Sequence, residues 1–148
     1  VSGSKNFQIT HPLESKKTAY NLVHACVEAP KADLIYTGMS HLQDGGRVSI
    51  NIDEAAGMSP GTFKEVCRTV RHSTTNEGGF SAVKSSFQDD TLTIQAQDTN
   101  CRDLIFWQVV AERKDNDIIQ SSMTDENGFL IIEPKVAQKL ETPMLFFH

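Results

Sequence analysis

The residues of this chain that could bind a metal through imidazole nitrogen are five histidines: His11, His24, His41, His72 and His148. They form none of the pairs, such as H-x-x-x-H or H-E-x-x-H, that place two imidazoles on one face of a helix. Only His24 has a cysteine close by in sequence, because Cys26 follows two positions later and would share its face in a β-strand. A packed cysteine beside a hydrogen-bonded histidine is the commoner arrangement. We therefore predict no metal site and no cofactor.

The serines and the paired aspartates do not form the sequence pattern of a catalytic site either. The serines lie in no G-x-S-x-G elbow, and Ser85-Ser86 and Ser121-Ser122 are best explained as solvent-facing strand or loop residues. The adjacent Asp89-Asp90 offers the two carboxylates of glycoside cleavage, but adjacent aspartates between two strands are typical of a hairpin turn. We predict that the chain is not an enzyme and has no catalytic residues.

Two glycine pairs and one acidic segment resemble ligand-binding loops only superficially. Gly45-Gly46 and Gly78-Gly79 are not followed by the Lys-Ser/Thr of a phosphate-binding loop, and neither pair opens a helix. Asp125–Gly128 lacks the ligand spacing and the terminal glutamate of a calcium loop. All three segments are predicted to be turns.

Composition limits the classes of partner. Hydrophobic residues make up 39% and charged residues 22% of 148 residues, which is ordinary for one globular domain with its own core. The formal net charge of −5, with no cluster of Lys and Arg, argues against nucleic acid and anionic membranes as partners. No apolar run has the length of a membrane span, so no membrane insertion is expected. Three widely spaced cysteines indicate buried thiols, although one disulfide stays possible.

The elements that must position any site are organised around Leu104–Arg113, which reads LIFWQVVAER. Its apolar residues occupy both alternating faces, so we expect a strand covered on both sides. The β-branched and aromatic residues and the charges that follow favour a strand over a buried helix. Trp107, the single tryptophan, lies in the middle and should form a large part of the core.

Short strands separated by turns are predicted over most of the rest. Alternation of apolar and polar residues indicates strands at 5–9, 20–27, 34–42, 47–52, 68–75, 82–87, 91–96 and 129–132. Gly38 suggests a bulge in one strand, and Gln43–Gly46 and Gln88–Asp90 are predicted hairpin turns. Helical spacing appears only within Asp53–Cys67, where Ser59-Pro60 resembles an N-cap followed by proline. The pattern predicts an all-β antiparallel sandwich, jelly-roll-like or barrel-like, with one short helix.

Two apolar features lie outside this pattern. Phe80 follows a polar glycine loop, where it could stack on a sugar ring, although a core position beneath the loop is the favoured explanation. The C-terminal residues Met144, Leu145, Phe146 and Phe147 would each cost about 1.5–3 kcal/mol if left in water. We therefore expect residues 1–135 to form a single domain and residues 136–148 to form a tail that packs on it or on a neighbouring subunit.

The order of the segments resembles a module near the C-terminal ends of phage tail-fibre and tailspike-type attachment proteins. The resemblance covers about residues 5 to 135 and is carried by seven segments in order: KNFQITHPL (5–13), LVHACVEAPKADLIYTG (22–38), GRVSINIDEAAGMSPGTFKEVCR (46–68), TNEGGFSAVKSSF (75–87), LTIQAQD (92–98), FWQVVAERKD (106–115) and TDENGFLIIEPK (124–135). It implies a structural or attachment domain of the virion, a homotrimer, and contact with other appendage proteins. No catalytic residues are implied.

Host-surface glycan or protein is the partner that we expect for such a domain. The candidate contacts lie on the predicted turns, and they are His41, Gln43 and Asp44 in the first turn and Asn76, Glu77 and Phe80 in the longer loop. The C-terminal apolar residues are the candidate oligomer interface. Two alternatives stay open, a purely architectural trimerisation or joint module and a polysaccharide depolymerase.

Overall fold

A computed structural model describes residues 6–136 of the chain. In chain order its elements are β1 (Asn6–Thr10), β2 (Asn21–Ala25), β3 (Asp33–His41), β4 (Arg47–Asn51), α1 (Ile52–Ala55), α2 (Thr62–Val66), β5 (Cys67–Asn76), β6 (Val83–Gln88), β7 (Thr91–Ala96), β8 (Leu104–Arg113) and α3 (Asn116–Ile119). The predicted class, an all-β antiparallel sandwich, is confirmed, with three short helices in place of one. None of the helices within residues 6–136 has the length and apolarity needed to cross a membrane.

The described residues divide into two compact units. Unit 1 contains residues 6–34, 65–68 and 112–136, and unit 2 contains residues 35–64 and 69–111. The strands form a two-stranded sheet β1-β2 and two three-stranded sheets, β3-β8-β5 and β4-β7-β6. Backbone bonds from Leu42 to Asp103 and from Arg113 to Ala32 show that β3 and β8 run antiparallel.

The strand predicted as the organising element is the central strand of its sheet. On one face of β8, Ile105, Trp107, Val109 and Ala111 are 0 to 3% exposed. The opposite face, which begins with Leu104, is half-buried. The prediction of cover on both faces is therefore right for one face and only partly right for the other.

Gly38 is required by the packing of Trp107 rather than by a bulge. The strand β3 continues through Gly38 without interruption. A Cβ atom at this position would lie 2.4 Å from Cζ2 of Trp107. The indole therefore packs directly on the backbone of β3, in a space that no other residue type leaves open.

The two predicted hairpins have different outcomes. The turn at Gln88–Asp90 joins β6 and β7 as paired neighbours, and Asp89 adopts a positive φ of 59° there. The turn at Gln43–Gly46 joins β3 and β4, which belong to different sheets and share only a bridge between Gln43 and Arg47. The turn predicted at 43–46 is formed, with Gly45 and Gly46 at positive φ, but the strands that flank it do not pair as a hairpin. Turn residues determine the local reversal, whereas the choice of sheet depends on distant strands.

A buried carboxylate orders the predicted helical segment. Asp53, 1% exposed, accepts backbone hydrogen bonds from Gly61 (2.9 Å) and Phe63 (2.7 Å) at the start of α2. The cap predicted at Ser59-Pro60 is thus supplied mainly by an aspartate from α1, eight to ten residues earlier in the chain. This places Phe63, 1% exposed, against Tyr36 and Phe87 in the core of unit 2.

The last predicted strand, 129–132, is not formed. Only an isolated bridge joins Thr124 and Leu130, across the turn that contains Gly128 at a φ of 81°. The guanidinium of Arg68 donates hydrogen bonds to the carbonyl oxygens of Asn127 and Gly128 and so holds this turn in unit 1. The predicted oligomer interface at 144–147 lies outside the described residues.

Candidate functional site

Three loops of unit 2 come together and unite the two segments predicted to bind a receptor. They are residues 41–46, 76–81 and 98–103, which we call the loop end. The backbone N–H of Leu42 donates to the carbonyl of Asp103 (3.0 Å), and the N–H groups of Glu77 and Gly78 donate to the carbonyl of Leu104 (2.9 and 3.1 Å). The loop at 98–103, which was not among the predicted contacts, therefore joins the other two.

Asn76 fixes the conformation of the 76–81 loop. Its amide nitrogen donates to the carbonyl of Ser81 and to Oδ2 of Asp103, both at 3.0 Å. Its amide oxygen accepts the backbone N–H groups of Gly78 (3.0 Å) and Gly79 (2.9 Å). Both ends of one side chain are therefore fully used, and the loop has little freedom to rearrange when it binds.

Asp103 is the charged centre of the loop end. Hydrogen bonds from Asn76 and from Cys101 lower the pKa of its carboxyl group, and the nearby His41 lowers it further. Gly79 approaches this carboxylate so closely that a Cβ atom would lie 2.5 Å from Oδ2. Gly79 is therefore needed for a close approach to a side chain, not for phosphate binding.

The first predicted loop is held by contacts with other segments, and the amide of Gln95 on β7 donates to its carbonyls at Gly45 (3.1 Å) and Gly46 (3.4 Å). Nδ1 of His41 lies 3.0 Å from the carbonyl oxygen of Arg102, so Nδ1 carries the proton and donates. The guanidinium of Arg102 lies 3.6 Å from a carboxylate oxygen of Asp44, a side chain that is fully exposed. Such a surface pair contributes little to stability. Gln43 forms the bridge to Arg47, with its N–H 3.0 Å from the carbonyl.

Phe80 contradicts the favoured prediction of a core position. Its side chain is 107% exposed, the largest exposure among the large hydrophobic residues of the described chain. It follows the two glycines fixed by Asn76, and Glu77 in the same loop is also exposed. The aromatic ring is therefore presented to solvent next to two glycines whose N–H groups are bonded to Asn76.

The His24 and Cys26 pair, considered for a metal, is not part of a ligand cluster. His24 stacks on Phe7, with ring centroids 5.0 Å apart and planes inclined by 10°, and burial lowers the pKa of its imidazole. Cys26, two positions after His24, is exposed. Residues 6–136 contain no group of three or more His, Cys, Asp or Glu side chains arranged to hold a metal ion.

The structure brings together a serine and a histidine that sequence reasoning did not connect. Nδ1 of His72 on β5 lies 2.7 Å from Oγ of Ser85 on β6, and the imidazole stacks on Phe87. A catalytic pair also needs a group that orients the histidine. Within the described part of the chain, no carboxylate is hydrogen-bonded to His72. No sequence signal could have found this pair, because its strands belong to different sheets.

A crevice in unit 1 holds a second cluster of titratable groups. His11, 6% exposed, accepts the backbone N–H of Leu13 at Nδ1 (3.2 Å), which requires the proton of its neutral form to be on Nε2. Burial and the nearby Lys16 lower the pKa of this imidazole, and burial and Asp115 raise the pKa of Asp117. The crevice of about 330 Å³ also contains charges of both signs, including Glu65 and Lys114.

Asp89 and Asp90, the candidate pair for glycoside cleavage, act as turn residues. Asp89 lies 3.7 Å from the ammonium group of Lys64, and Asp90 accepts the hydroxyl of Thr91 (2.9 Å). Asp89 is thus paired with a lysine of α2, and Asp90 with the residue that follows it.

Comparison of the chain with family models, curated proteins and solved structures gives no match.

Proposed function

We propose that the chain is a non-enzymatic contact domain of a virion appendage, such as a phage tail fibre, and that its loop end touches the host surface. The assignment to a virion appendage rests on the ordered set of segments that resembles tail-fibre and tailspike modules. The assignment of contact to the loop end rests on the geometry of unit 2. The protein would accordingly be found in the virion, beside other appendage proteins.

The observation that carries this proposal is the exposure of Phe80 on a braced loop. A fully exposed phenylalanine loses the free energy of burial, about 1.5–3 kcal/mol, unless a partner covers it. Asn76 and Asp103 hold the loop that presents it, so little conformational entropy is lost on binding. Aromatic residues in this situation commonly dominate the energy of an interface.

The chemistry around Phe80 suits a glycan or a polar protein surface. The aromatic face can pack against the C–H face of a sugar ring, while the exposed Glu77 and Asp44 carboxylates and the imidazole of His41 can bind hydroxyl groups. A single contact of this size would be weak. Repetition in a homotrimeric appendage would raise the overall affinity through effective concentration.

The test is a glycan array together with adhesion of the purified protein to bacterial cells, using Phe80→Ala. We expect binding to fall at least about tenfold, since aromatic anchors at interfaces are worth about 2 kcal/mol or more. Tyr20→Ala in unit 1 is the matched control, because Tyr20 is also an exposed aromatic residue, at 58%. Equal binding of wild type and Phe80→Ala would remove the loop end from consideration.

A purely architectural role is the second candidate, and exposed apolar residues at the end of the described chain favour it. Ile132 is 58% and Val136 88% exposed, and the apolar residues 144–147 follow them in sequence. Truncation after Thr142 should then convert an oligomer into a monomer, as measured by mass photometry. A reducing-end assay on capsular polysaccharide separates both roles from a depolymerase, which would release sugar.

A further inference from the structure

The strand β4 is an edge strand whose outer side is open. In the sheet β4-β7-β6 its hydrogen-bonded neighbour is β7. On the other side, within residues 6–136, its sole partner is the bridge from Arg47 to Gln43. Edge strands of natural proteins are usually protected by lysine, proline or a bulge. The sequence RVSIN has neither lysine nor proline, and its register with β7 has no bulge.

The register shows which backbone groups of β4 face outward. The N–H of Ala96 donates to the carbonyl of Gly46, and the N–H of Ile52 donates to the carbonyl of Asp90, both at 2.8 Å. In an antiparallel pair, residues that exchange hydrogen bonds alternate with residues that do not. Even-numbered residues of β4 therefore bond to β7, and the N–H and C=O groups of Arg47, Ser49 and Asn51 point away from it.

Ser49 is the centre of this open edge. The outward groups of Arg47 are used by Gln43, at 3.0 and 3.4 Å. The side chain of Asn51 caps α1 by accepting the N–H of Glu54 (2.9 Å). Among the hydrogen bonds of the described residues, none engages the outward N–H or C=O of Ser49 or the N–H of Asn51. Two donors and one acceptor are thus available at the spacing of a β-strand.

These groups line a continuous groove. Two adjoining hollows, of about 570 and 470 Å³, share Gln43, Val48 and Ser49. The first ends at Arg47 and Asp44, and the second extends past Ile50 and Asn51 to Glu54. Ser40 and His41 of β3 also line the second hollow, and the two hollows together contain every residue of β4.

We propose that this groove binds an extended segment of a partner polypeptide as an additional strand beside β4. The main chain of the segment bonds to Ser49 and Asn51, as in strand addition to other open sheet edges. Its alternate side chains follow those of β4, with apolar residues beside Val48 and Ile50 and polar residues beside Ser49. The oppositely charged Arg47 and Glu54 at the two ends select the direction of the segment.

This inference goes beyond the proposed host contact, and only the identity of the partner rests on the proposed function. The groove shares His41, Gln43 and Asp44 with the loop end. Phe80 does not line the groove, so loss of Phe80 leaves strand binding intact. An extended polypeptide fits better than a sugar because the free groups repeat along a main chain. The polypeptide of a neighbouring appendage protein is a partner of this chemistry.

The experiment uses Ser49→Pro, with Ser49→Ala as the matched control. Proline is tolerated on an edge strand where the N–H faces outward, so the ladder through Val48 and Ile50 is retained. Ser49→Ala removes the hydroxyl contact with Thr93 (3.2 Å) but keeps the N–H. The probe is a fluorescent peptide with the sequence of residues 90–97, DTLTIQAQ, because β7 already pairs with β4 in an antiparallel register.

Fluorescence anisotropy should show saturable binding to wild type and to Ser49→Ala, and at least about tenfold weaker binding to Ser49→Pro. Two N-methylated peptides give a test that needs no variant. Methylation at the Leu92 and Ile94 positions and methylation at the Thr91 and Thr93 positions block opposite edges of the strand, so one should abolish binding and the other should not.

Three results overturn the proposal. They are failure of the wild type to bind the unmodified peptide, equal binding of both methylated peptides, and equal binding of a folded Ser49→Pro variant. Sedimentation velocity examines a further occupant, a second copy of the chain. Concentration-dependent dimers that disappear in Ser49→Pro would assign the groove to self-association and reject the heterologous segment.

Discussion

The 76–81 loop and the 41–46 turn are both polar, both contain a glycine pair, and both meet the 98–103 loop, yet they are held differently. In the first, one side chain, Asn76, makes four hydrogen bonds, three of them to backbone groups of its own loop. The second has an exposed ion pair between Asp44 and Arg102 at 3.6 Å and a hydrogen bond from His41 to the carbonyl of Arg102. The amide of Gln95 on β7 also donates to the carbonyls of Gly45 (3.1 Å) and Gly46 (3.4 Å). Asn76 thus braces its loop from within and bonds both N–H and C=O groups of the backbone, whereas the 41–46 turn depends on side chains of other segments and on a solvated ion pair.

The consequence is a division of roles at the loop end. The 76–81 loop is preorganised and presents Phe80, whereas the 41–46 turn supplies polar groups that can adjust to a partner. This difference predicts a graded series of mutational effects, in which residues that brace the 76–81 loop matter most.

Asn76→Ala should have the largest effect. It removes the four hydrogen bonds and leaves the N–H group of Gly79 to water, while that of Gly78 keeps its bond to the carbonyl of Leu104. The free energy of unfolding should fall by about 2 kcal/mol. Urea denaturation measures this loss. Binding should fall as well, because Phe80 loses its support. A stability equal to that of the wild type would show that the amide does not order the loop.

Asp103→Asn should have an intermediate effect that depends on pH. The folded state lowers the pKa of Asp103, so its contribution is fully present above the unfolded value near 3.9 and is lost as pH falls through the folded pKa. Unfolding measured from pH 6 to pH 2.5 should therefore show a smaller loss below about pH 4 in Asp103→Asn than in wild type. Curves of stability against pH that run parallel for the two proteins would contradict a stabilising role of the charged Asp103 carboxylate.

His11 provides a separate pH window in unit 1. Its pKa is lowered in the folded state, so the neutral imidazole is favoured and stability decreases as pH falls below the unfolded value near 6.5. Replacement by Asn should flatten the stability curve between about pH 7 and pH 5 and leave the decrease below pH 4 unchanged. A change below pH 4 instead would mean that the two pH ranges had been assigned to the wrong residues, His11 and Asp103.

Asp44→Ala should have the smallest effect, within about 0.5 kcal/mol, because exposed ion pairs are weak and are screened by salt. Thermal unfolding at low and at high ionic strength measures it. A loss comparable to that of Asn76→Ala would remove the distinction between the two loops.

The sequence predicts local structure well, but it predicts poorly which strands pair with each other. Alternation in Thr91–Ala96 and the aspartates of the preceding turn were sufficient for the β6–β7 hairpin, because both signals lie within about a dozen residues. The sheet to which β4 belongs depends on β7, more than forty residues away, and the turn at 43–46 contains no information about it. The capping of α2 by Asp53 is non-local in the same sense.

The candidate site was predictable only in part. Gly, Asn and Asp identify turns, so both loops could be predicted from residue type alone. Four of the six proposed contacts lie on these loops, and His41 and Asn76 are the last residues of β3 and β5. That these loops lie side by side could not be predicted, because it depends on hydrogen bonds from Leu42 and Gly78 to the start of β8. Phe80 is exposed although phenylalanine is hydrophobic, and for that reason its residue type alone predicted a buried position.

Amide hydrogen exchange tests the central claim, that the 76–81 loop is preorganised to present Phe80, most directly. The protection factor for Gly79 should exceed that of Gly45, whose exposed N–H forms no hydrogen bond within the described residues, and should fall to the Gly45 level in Asn76→Ala. Gly78 should stay partly protected in that variant, because its N–H also donates to the carbonyl of Leu104. Gly78 and Gly79 amides that exchange as fast as Gly45 in the wild-type protein would contradict the account.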